Sequence, residues 1–508
     1  MTLKSIGQTL LDHVDPRLIA MTERALKAIP FVKARLDKEY GSMLGGLEHK
    51  LRPYAGKVVS YSALPDQGRD RSDILKEIEA LAEAESPRWK KGFLSGAVYN
   101  GDDAHVEFMN RVYAATSQVN PLHSDVWPSS SKYEAEIVSM VADMLGAPPG
   151  NSQASRDDQI CGAVSSGGTE SILLAMKAYR DRAREEHGER FPEMVVPSTV
   201  HAAFDKASQY FGIKMKKVPV GKDFVADVKA MKAAITKRTV VVVASAPCFP
   251  YGLIDPVEEL AALAKKRRIG CHVDACLGGF VLPWARQMGA AVPDFDFRVP
   301  GVTSMSVDTH KYGYAAKGTS VVLYRGHELR SHQYYTVTDW PGGLYFSPTL
   351  AGSRPGALSA AAWAALVSMG RAGYLEATRK IIATTDQLKA GVREIPELEL
   401  MGEAVFMISF RSSSLDVYRV LDEMGKRGWN LNGLHRPAAV HLCVTLRHTQ
   451  PGVAERFVTD LKASVAEVKT SPASSSGMAP VYGMAGTMPL KGLVGDFLKR
   501  YIDLLYKV

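Results

Sequence analysis

A histidine and a lysine stand side by side at the centre of the segment SMSVDTHKYGYAAKG, residues 304–318. A lysine forms a Schiff base with an aldehyde once its amine is neutral, and desolvation or a nearby cation lowers the pKa of the amine enough to allow this. The residues before His310 predict the end of a strand, and the run TSVVLY at 319–324 predicts another. Lys311 is therefore expected at a corner between two strands. On the dipeptide alone, a solvated lysine beside an ordinary histidine is the simpler interpretation.

A second segment offers an anion site. Residues 164–171, VSSGGTES, lead directly into the helical pattern ILLAMKAYRDRAREE. Such a junction presents free backbone N–H groups and the positive end of a helix to an anion, usually a phosphate. An ordinary capped turn has the same residues, so this segment alone is a weak signal.

A third segment, GCHVDACLGG at 270–279, predicts a short buried strand at 271–273 with Asp274 at its end. A carboxylate there could hold a proton on a heterocyclic nitrogen, although a capping aspartate is the alternative. An anion cradle, a strand-end aspartate and a His-Lys pair, in this order, describe a site for pyridoxal 5′-phosphate. Lys311 would take the aldehyde, Asp274 the pyridinium nitrogen and the cradle the phosphate.

The pattern between 116 and 369 alternates strands and helices, for example a strand at 239–246 and a helix at 257–266. Alternation with continuous apolar strands predicts an α/β fold with a mostly parallel central sheet that is covered on both faces. Ligands of such sheets bind beyond the carboxyl ends of the strands, which agrees with the placement of Asp274 and Lys311. With 508 residues, more than one core is expected. We expect an N-terminal segment at 1–115, a large cofactor-binding domain at 116–369 and a smaller C-terminal α+β domain at 370–508.

Composition excludes several classes. The net charge is +8, but the longest basic run is KKRR at 265–268, which predicts the end of a solvated helix and no nucleic-acid site. The five cysteines show no metal-ligand spacing, so we expect no metal and a reducing compartment. No signal-peptide core and no apolar stretch of about 18 residues occurs, so a soluble, cytoplasmic chain is expected.

The chain resembles the sphingosine-1-phosphate lyases, a family in the group II decarboxylase branch of the aspartate aminotransferase-like superfamily. The resemblance runs from about Gly92 to Met488 and rests on these segments: SGAVY (95–99), NPLHSD (120–125), EAEIV (134–138), SSGGTES (165–171), HVDACLGGF (272–280), DTHKYGYAAKG (308–318), AGSRPG (351–356) and VYGMAG (481–486). It implies fold type I and pyridoxal 5′-phosphate as cofactor. The eukaryotic lyases carry an N-terminal membrane anchor that this sequence lacks, which implies a soluble form of bacterial type.

The resemblance also implies roles for single residues. The cofactor would be contacted by Ser166, Gly167, Gly168, Thr169, His201, Asp274, His310, Lys311 and Ser353. Ser353 would act from the partner subunit, giving a homodimer with shared active sites, and His201 would stack on the ring. The substrate phosphate would be bound by Tyr99, Asn120, His123, Lys317 and Tyr482. His201, Asp274, Lys311 and Lys317 are the catalytic candidates. A turn serine is the alternative for Ser353 and a surface lysine for Lys317, and the role of Arg447 is open.

The implied reaction is a retro-aldol cleavage of a phosphorylated sphingoid base, sphingosine 1-phosphate, to a fatty aldehyde and phosphoethanolamine. The general base is open between Lys311, Lys317, a tyrosine and the substrate phosphate. Transient membrane contact is expected because the substrate is a lipid. The alternative is an amino-acid decarboxylase, since a cation does not by itself distinguish a carboxylate from a phosphate. A scaffold that has lost catalysis is disfavoured because Lys311 and Asp274 are both present.

Overall fold

The computed structural model describes residues 16–471 and 491–508. These residues belong to two compact units. The larger unit contains 88–434 and 439–470, and the smaller contains the described residues among 1–87, 435–438 and 471–508. The polar run TSPASSSG at 470–477 predicts a flexible linker, and it lies mostly outside the described residues.

The α-helices of the described residues are α1 (Pro16–Ala28), α2 (Pro30–Leu51), α3 (Arg71–Lys90), α4 (Asp103–Thr116), α5 (Pro128–Met144), α6 (Gly168–His187), α7 (Ala203–Phe211), α8 (Val228–Ala234), α9 (Val257–Arg267), α10 (Leu282–Gln287), α11 (His327–Ser331), α12 (Gly356–Arg393), α13 (Val417–Lys426), α14 (Val453–Thr470) and α15 (Lys491–Leu505). Short 3-10 helices lie at Pro121–His123, Asn151–Gln153 and Leu446–Thr449. Among the helices of the described ranges, none combines the length and the apolar character needed to cross a bilayer.

The strands are β1 (Ile160–Ser165), β2 (Glu193–Pro197), β3 (Lys214–Val218), β4 (Thr239–Ser245), β5 (Gly270–Asp274), β6 (Ser304–Val307), β7 (Ser320–Arg325), β8 (Tyr335–Val337), β9 (Tyr345–Ser347), β10 (Glu399–Leu400), β11 (Met407–Arg411), β12 (Asn432–Leu434) and β13 (Ala439–Cys443). The central sheet has the order β1-β7-β6-β5-β4-β2-β3. The pairings from β3 through β2, β4 and β5 to β6 are parallel, and both pairings of β7 are antiparallel. The prediction of a mostly parallel sheet is confirmed.

The register of this sheet gathers three strand ends at one edge. β1 is antiparallel to β7, and β7 is antiparallel to β6, so β1 runs in the same direction as β5 and β6. The carboxyl ends of all three strands therefore lie on the same edge. Asp274 ends β5, the segment with Lys311 follows β6, and α6 begins three residues after β1. This edge is where ligands of parallel sheets bind.

The strands at the centre are apolar because helices cover both faces. All five residues of β5 and all four of β6 are buried, and β4 exposes none of its seven. Helix α6 lies on one face and buries Ile172, Leu173 and Tyr179 there, in a core cluster that also contains Val241 and Val322. A parallel sheet that is covered in this way needs continuous apolar strands, which the run TVVVVAS of β4 provides.

A second, antiparallel sheet has the order β10-β11-β13-β12 and contacts α13. Helix α14 packs on α13, and Trp429 donates from its indole nitrogen to Asp460 Oδ2 at 2.9 Å. These elements have the α+β character expected after residue 370. The expected boundary at 369/370 falls where Gly370 (φ 53°) kinks α12. The three-part division itself stays a prediction.

In the smaller unit, α2 packs on α1 and α15. The Tyr40 hydroxyl donates to the Leu493 carbonyl at 2.8 Å, and its ring lies 6.0 Å from that of Phe497. Lys27 pairs with Asp496 at 2.6 Å. An aromatic contact thus joins α15 to α2, and an ion pair joins α15 to α1.

Buried histidines predict a loss of stability in acid. His448 is buried, its Nδ1 accepts from Thr445 N at 2.9 Å, and burial lowers its pKa to about 4. Unfolded histidine binds a proton near pH 6.5, so between pH 6.5 and 4 the unfolded chain holds the extra proton and stability falls as pH falls. We expect His448 to cost about 2 kcal/mol of unfolding free energy between pH 7.5 and pH 5.

Urea unfolding followed by circular dichroism at both pH values checks this expectation. His448→Gln should lose less stability than the parent on acidification, because glutamine does not titrate. His187→Gln, at a side chain that is 69% exposed, serves as the matched control and should behave like the parent. Equal losses in His448→Gln and in the parent would contradict the expectation.

Candidate active site

The Lys311 side chain lies between β6 and β7 and faces a carboxylate. Its Nζ is 2.8 Å from Asp308 Oδ2, in an ion pair that spans one turn of chain. Asp308 is 2% exposed and Lys311 is only partly exposed. The turn is closed by Tyr314 N, which donates to the Lys311 carbonyl at 3.1 Å. The corner that the sequence predicts is therefore present, with a buried anion beneath the amine.

This carboxylate decides the protonation of the amine. Burial is the largest single influence and would lower the pKa of Lys311. The charge of Asp308 and the smaller effects of Cys276, Tyr99 and the hydrogen bond to Asp308 together outweigh burial and raise the pKa above the usual lysine value. Burial likewise pushes the pKa of Asp308 upward, yet Lys311 and His310 hold it below its usual range. The expectation that the pKa of Lys311 is lowered is wrong for the chain without cofactor, because an aspartate three residues upstream faces the amine.

A cavity of about 310 Å³ opens in front of Lys311. It is lined by Ser166, Gly167, Gly168, Thr169, Glu170, Ile172, His201, Pro247, Phe249, Asp274, Cys276, Leu277, Asp308, His310 and Lys311. Eight predicted site residues are thus brought to one place from three separate segments and from the strand end before α7.

The N-terminus of α6 forms one wall of the cavity. Gly167 has φ 154°, which favours glycine, and as N-cap it provides no side-chain cap. A Cβ at Gly168 would lie 2.7 Å from both Asp308 Oδ1 and Cys276 Sγ, so only glycine fits there. Glu170 braces the segment by accepting from Ser166 N at 2.6 Å. The first N–H groups of α6 are left to an anion.

The carboxylate of Asp274 is held in a fixed orientation at the end of β5. Its Oδ1 accepts from Cys276 N at 3.1 Å and from Ser306 Oγ at 3.3 Å. Asp274 is 7% exposed and lines the cavity. These bonds direct the carboxylate toward a ligand in the cavity rather than toward solvent.

Two histidines line the same cavity. His201 Nδ1 accepts from Ala203 N at 3.1 Å, which leaves the proton on Nε2. His310 Nδ1 donates to the Thr319 carbonyl at 2.5 Å, and its Nε2 lies 3.8 Å from Asp308 Oδ2. Burial is the largest of the influences that lower the pKa of His310, followed by the opposing charge of Asp308. Both rings are therefore held by the backbone, with one nitrogen each left for other contacts.

This set of groups fits pyridoxal 5′-phosphate. Lys311 offers an amine to the aldehyde, Asp274 a carboxylate to the ring nitrogen, and α6 a helix N-terminus to the phosphate. The space beside Gly168 tests whether the cofactor phosphate fits. A side chain at this position would fill the space between α6 and Asp308, and glycine leaves it open.

The predicted substrate residues do not line this cavity in the described structure. Lys317 Nζ lies 4.5 Å from the centre of the Tyr99 ring and donates to the His310 carbonyl at 3.2 Å. Much of the Lys317 side chain reaches solvent, but desolvation of its amine and repulsion by Lys311 lower its pKa to about 8. Tyr99 is buried, and burial raises its pKa. Lys317 and Tyr99 therefore form a pair beside the cavity.

Asn120 and Ser353 are brought together although 233 positions separate them. Asn120 Nδ2 donates to Ser353 Oγ at 3.1 Å, and its Oδ1 accepts from Leu122 N and Arg354 N. His123 is exposed. Tyr482 lies outside the described residues. Asn120 thus has a structural role in joining two loops, and the contacts predicted for these residues with ligands stay predictions.

Seven of the residues that line the cavity were not singled out from the sequence, among them Asp308, Cys276 and Phe249. Asp308 has a signal, a carboxylate one turn before the lysine, whereas Cys276 and Phe249 have none beyond their position after strands. Burial raises the pKa of Cys276 well above its usual value. The open question of Arg447 has a geometric answer: its guanidinium lies 5.3 Å from the Trp89 ring and 3.2 Å from Asp103.

Comparison with known proteins agrees with this geometry. Residues 57–413 match the model of the pyridoxal-dependent decarboxylase conserved domain. The chain is 46% identical to sphingosine-1-phosphate lyase of Oryza sativa subsp. japonica, over 96% of this chain and 89% of that protein.

Solved structures give the same result. The sphingosine-1-phosphate lyase of Burkholderia pseudomallei matches with a TM-score of 0.83 and 41% identity, over 90% of this chain and 99% of that chain. Glutamate decarboxylase of Lactobacillus brevis matches with a TM-score of 0.70 at 19% identity, over 82% and 97%, and so shows the fold alone. The fold type I prediction is confirmed. The chain belongs to the pyridoxal-dependent decarboxylase family and, within it, to the sphingosine-1-phosphate lyases.

Proposed function

We propose that this chain cleaves sphingosine 1-phosphate by a retro-aldol reaction to a fatty aldehyde and phosphoethanolamine, with pyridoxal 5′-phosphate as cofactor. The observation that carries the proposal is the single cavity in which Lys311, Asp274 and the N-terminus of α6 meet. The substrate follows from the relatives, which are named sphingosine-1-phosphate lyases. Amino-acid decarboxylation is the alternative that product analysis distinguishes.

The bound cofactor supplies an electron sink for the negative charge that remains on the substrate when the carbon–carbon bond breaks. Lys311, in its neutral form, would bond through Nζ to the aldehyde carbon, and Asp274 would accept the ring N–H through its carboxylate. Gly168 and Thr169 would bind the phosphate by backbone N–H and hydroxyl groups, and His310 would approach the same phosphate. His201 would cover the ring.

Lys317 is the best candidate for the proton acceptor. A pKa of about 8 leaves a neutral fraction of its amine near neutral pH, as a general base requires. Tyr99 is less suited, because burial raises its pKa. Before the cofactor binds, Asp308 at 2.8 Å holds Lys311 as an ammonium, and the Lys311 Nζ would then be used to bond the cofactor. We therefore assign to Lys317 Nζ the uptake of the substrate hydroxyl proton.

The proposed assembly is a homodimer with shared sites. Ser353 is exposed and does not line the cavity of its own chain in the described structure. Its Oγ is positioned by Asn120 at 3.1 Å. Both facts support a contact of Ser353 with the phosphate of the partner subunit's cofactor. The five free, buried thiols fit a reducing compartment.

Replacing Lys311 should abolish both attachment of the cofactor and cleavage. We expect Lys311→Ala to lower aldehyde formation by several orders of magnitude, because the aldehyde carbon then has no covalent partner. Borohydride reduction of the reconstituted protein followed by peptide mass spectrometry should find the cofactor on Lys311 in the parent only. Lys380→Ala, at a half-exposed lysine of α12, should match the parent. Carbon dioxide from an amino acid without aldehyde would instead establish a decarboxylase.

The pH dependence of turnover should report Lys317. Its amine accepts a proton only when neutral, so the rate at saturating substrate should rise with pH through about 8 and then level off. Lys317→Arg stays protonated, and we expect the rising limb to disappear with a loss of about 10²-fold to 10⁴-fold in kcat. Lys214→Arg, at an exposed lysine, is the control. A rising limb that persists in Lys317→Arg would assign the proton to another group.

A further inference from the structure

A row of polar side chains runs through the interior of the central sheet and ends on Asp274. His272 and Asp274 point to the same face of β5, since they are two residues apart. The register places Ser304 of β6 beside His272 and Ser306 beside Asp274. All four residues are buried. Polar groups in a core are expected to be paired with one another. Of these four residues, the proposed reaction uses only Asp274.

The row is continuous. The Tyr179 hydroxyl of α6 lies 2.6 Å from Ser304 Oγ, and Ser304 Oγ lies 2.7 Å from His272 Nδ1. On the other side of the ring, His272 Nε2 lies 3.3 Å from Ser306 Oγ, which lies 3.3 Å from Asp274 Oδ1. Four hydrogen bonds therefore connect α6 to the carboxylate at the cavity.

The direction of every bond is set by the carboxylate. An ionised Asp274 only accepts, so Ser306 must use its single hydroxyl proton to donate to it. His272 must then donate from Nε2 to Ser306 and accept at Nδ1 from Ser304. Ser304, having used its proton, can only accept from Tyr179, whose hydroxyl also lies 2.6 Å from Thr303 Oγ1. All four bonds thus donate toward Asp274.

The protonation states agree with this direction. Burial lowers the pKa of His272 to about 4, against a smaller raising effect of Asp274, so the ring is neutral and carries one proton. Burial raises the pKa of Tyr179 to about 12, so its hydroxyl stays a donor. A Cβ at Gly270 would lie 2.2 Å from the Tyr179 ring, so this glycine makes the space for the tyrosine.

We propose that His272 is a positioning residue for the cofactor ring: through Ser306 it directs a hydrogen-bond donor at the Asp274 carboxylate, so that the proton shared with the cofactor stays on the ring nitrogen. This inference rests on the proposed function. Hydrogen bonds to the ionised form favour that form, whereas burial favours the neutral acid. Without the donors, the proton of the N–H···O bond moves toward Asp274, and the ring becomes a weaker electron sink.

Nitrogen-15 NMR of the holoenzyme, reconstituted with pyridoxal 5′-phosphate labelled at the ring nitrogen, tests the role directly. The parent at pH 7.5 should show the chemical shift of a protonated ring nitrogen. Ser306→Ala removes one oxygen and should move the resonance toward the unprotonated value, because losing a hydrogen bond to a charged group changes the proton distribution about 10-fold or more. His272→Phe should act in the same direction. His272→Gln, whose amide can donate where Nε2 does, should restore part of the shift.

The matched control is Ser171→Ala. Ser171 is equally buried on α6, and its Oγ bonds to Ser165 Oγ at 2.7 Å and Ser320 Oγ at 2.9 Å, without contact to Asp274. Its resonance should equal that of the parent. An unchanged resonance in Ser306→Ala would overturn the proposal even if His272→Phe fails to fold. A parent protein that takes up no cofactor would overturn the proposed function itself, whereas a protonated ring nitrogen in a protein that releases no aldehyde would leave the role of His272 standing and change only the substrate.

Discussion

The ion pair between Lys311 and Asp308 fixes the position and the protonation state of the amine on which the rest of the site depends. Bringing two charges out of water costs several kcal/mol each, and such a pair is stable only with close geometry and further hydrogen bonds. The 2.8 Å contact meets the first requirement, and the His310 ring lies close to the same carboxylate, with Nε2 at 3.8 Å. The chain fixes this geometry by a tight turn, in which the Tyr374 hydroxyl donates to the Gly313 carbonyl at 2.8 Å. A reactive amine is thus stored in a fixed place, but in its protonated form.

The sheet explains how residues that are far apart in the chain reach this pair. Parallel pairing of β5 with β6, and the same direction of β1, bring Asp274, the lysine segment and the start of α6 to one edge. For each of these three groups, a strand of the right length and the turn that follows it are enough to bring the group to this edge. The second layer, with Ser306 and His272, then comes from the register of the same strands.

Much of this could be predicted from the sequence, because the signals are local. The Schiff-base lysine, the glycine cradle and the strand-end aspartate each lie in a short segment whose residue types determine both the backbone and the chemistry. Predicted strands and helices agree with the structure to within one or two residues at most ends, for example 257–266 against Val257–Arg267. Ends are less certain than centres, since the last turn of a helix depends on its caps.

What could not be predicted depends on contacts across the fold. The pairing of Asn120 with Ser353 joins loops 233 positions apart, and no local pattern announces it. The raised pKa of Lys311 needed the distance to Asp308, not merely its place in the sequence. Arg447 is explained by Trp89 and Asp103, which lie more than 340 positions earlier. Such pairs become visible only when the chain is folded.

The crowding around Gly168 also limits how the family can vary. Its α-carbon faces Asp308 and Cys276 so closely that an added methyl group would meet both at 2.7 Å. Residues at the phosphate end and at the lysine end of the site therefore cannot be substituted independently of one another. A lineage that acquired a larger residue at 168 would need smaller partners at 276 and 308, and would lose the counterion of the lysine in the process. The three positions should be inherited as a single unit.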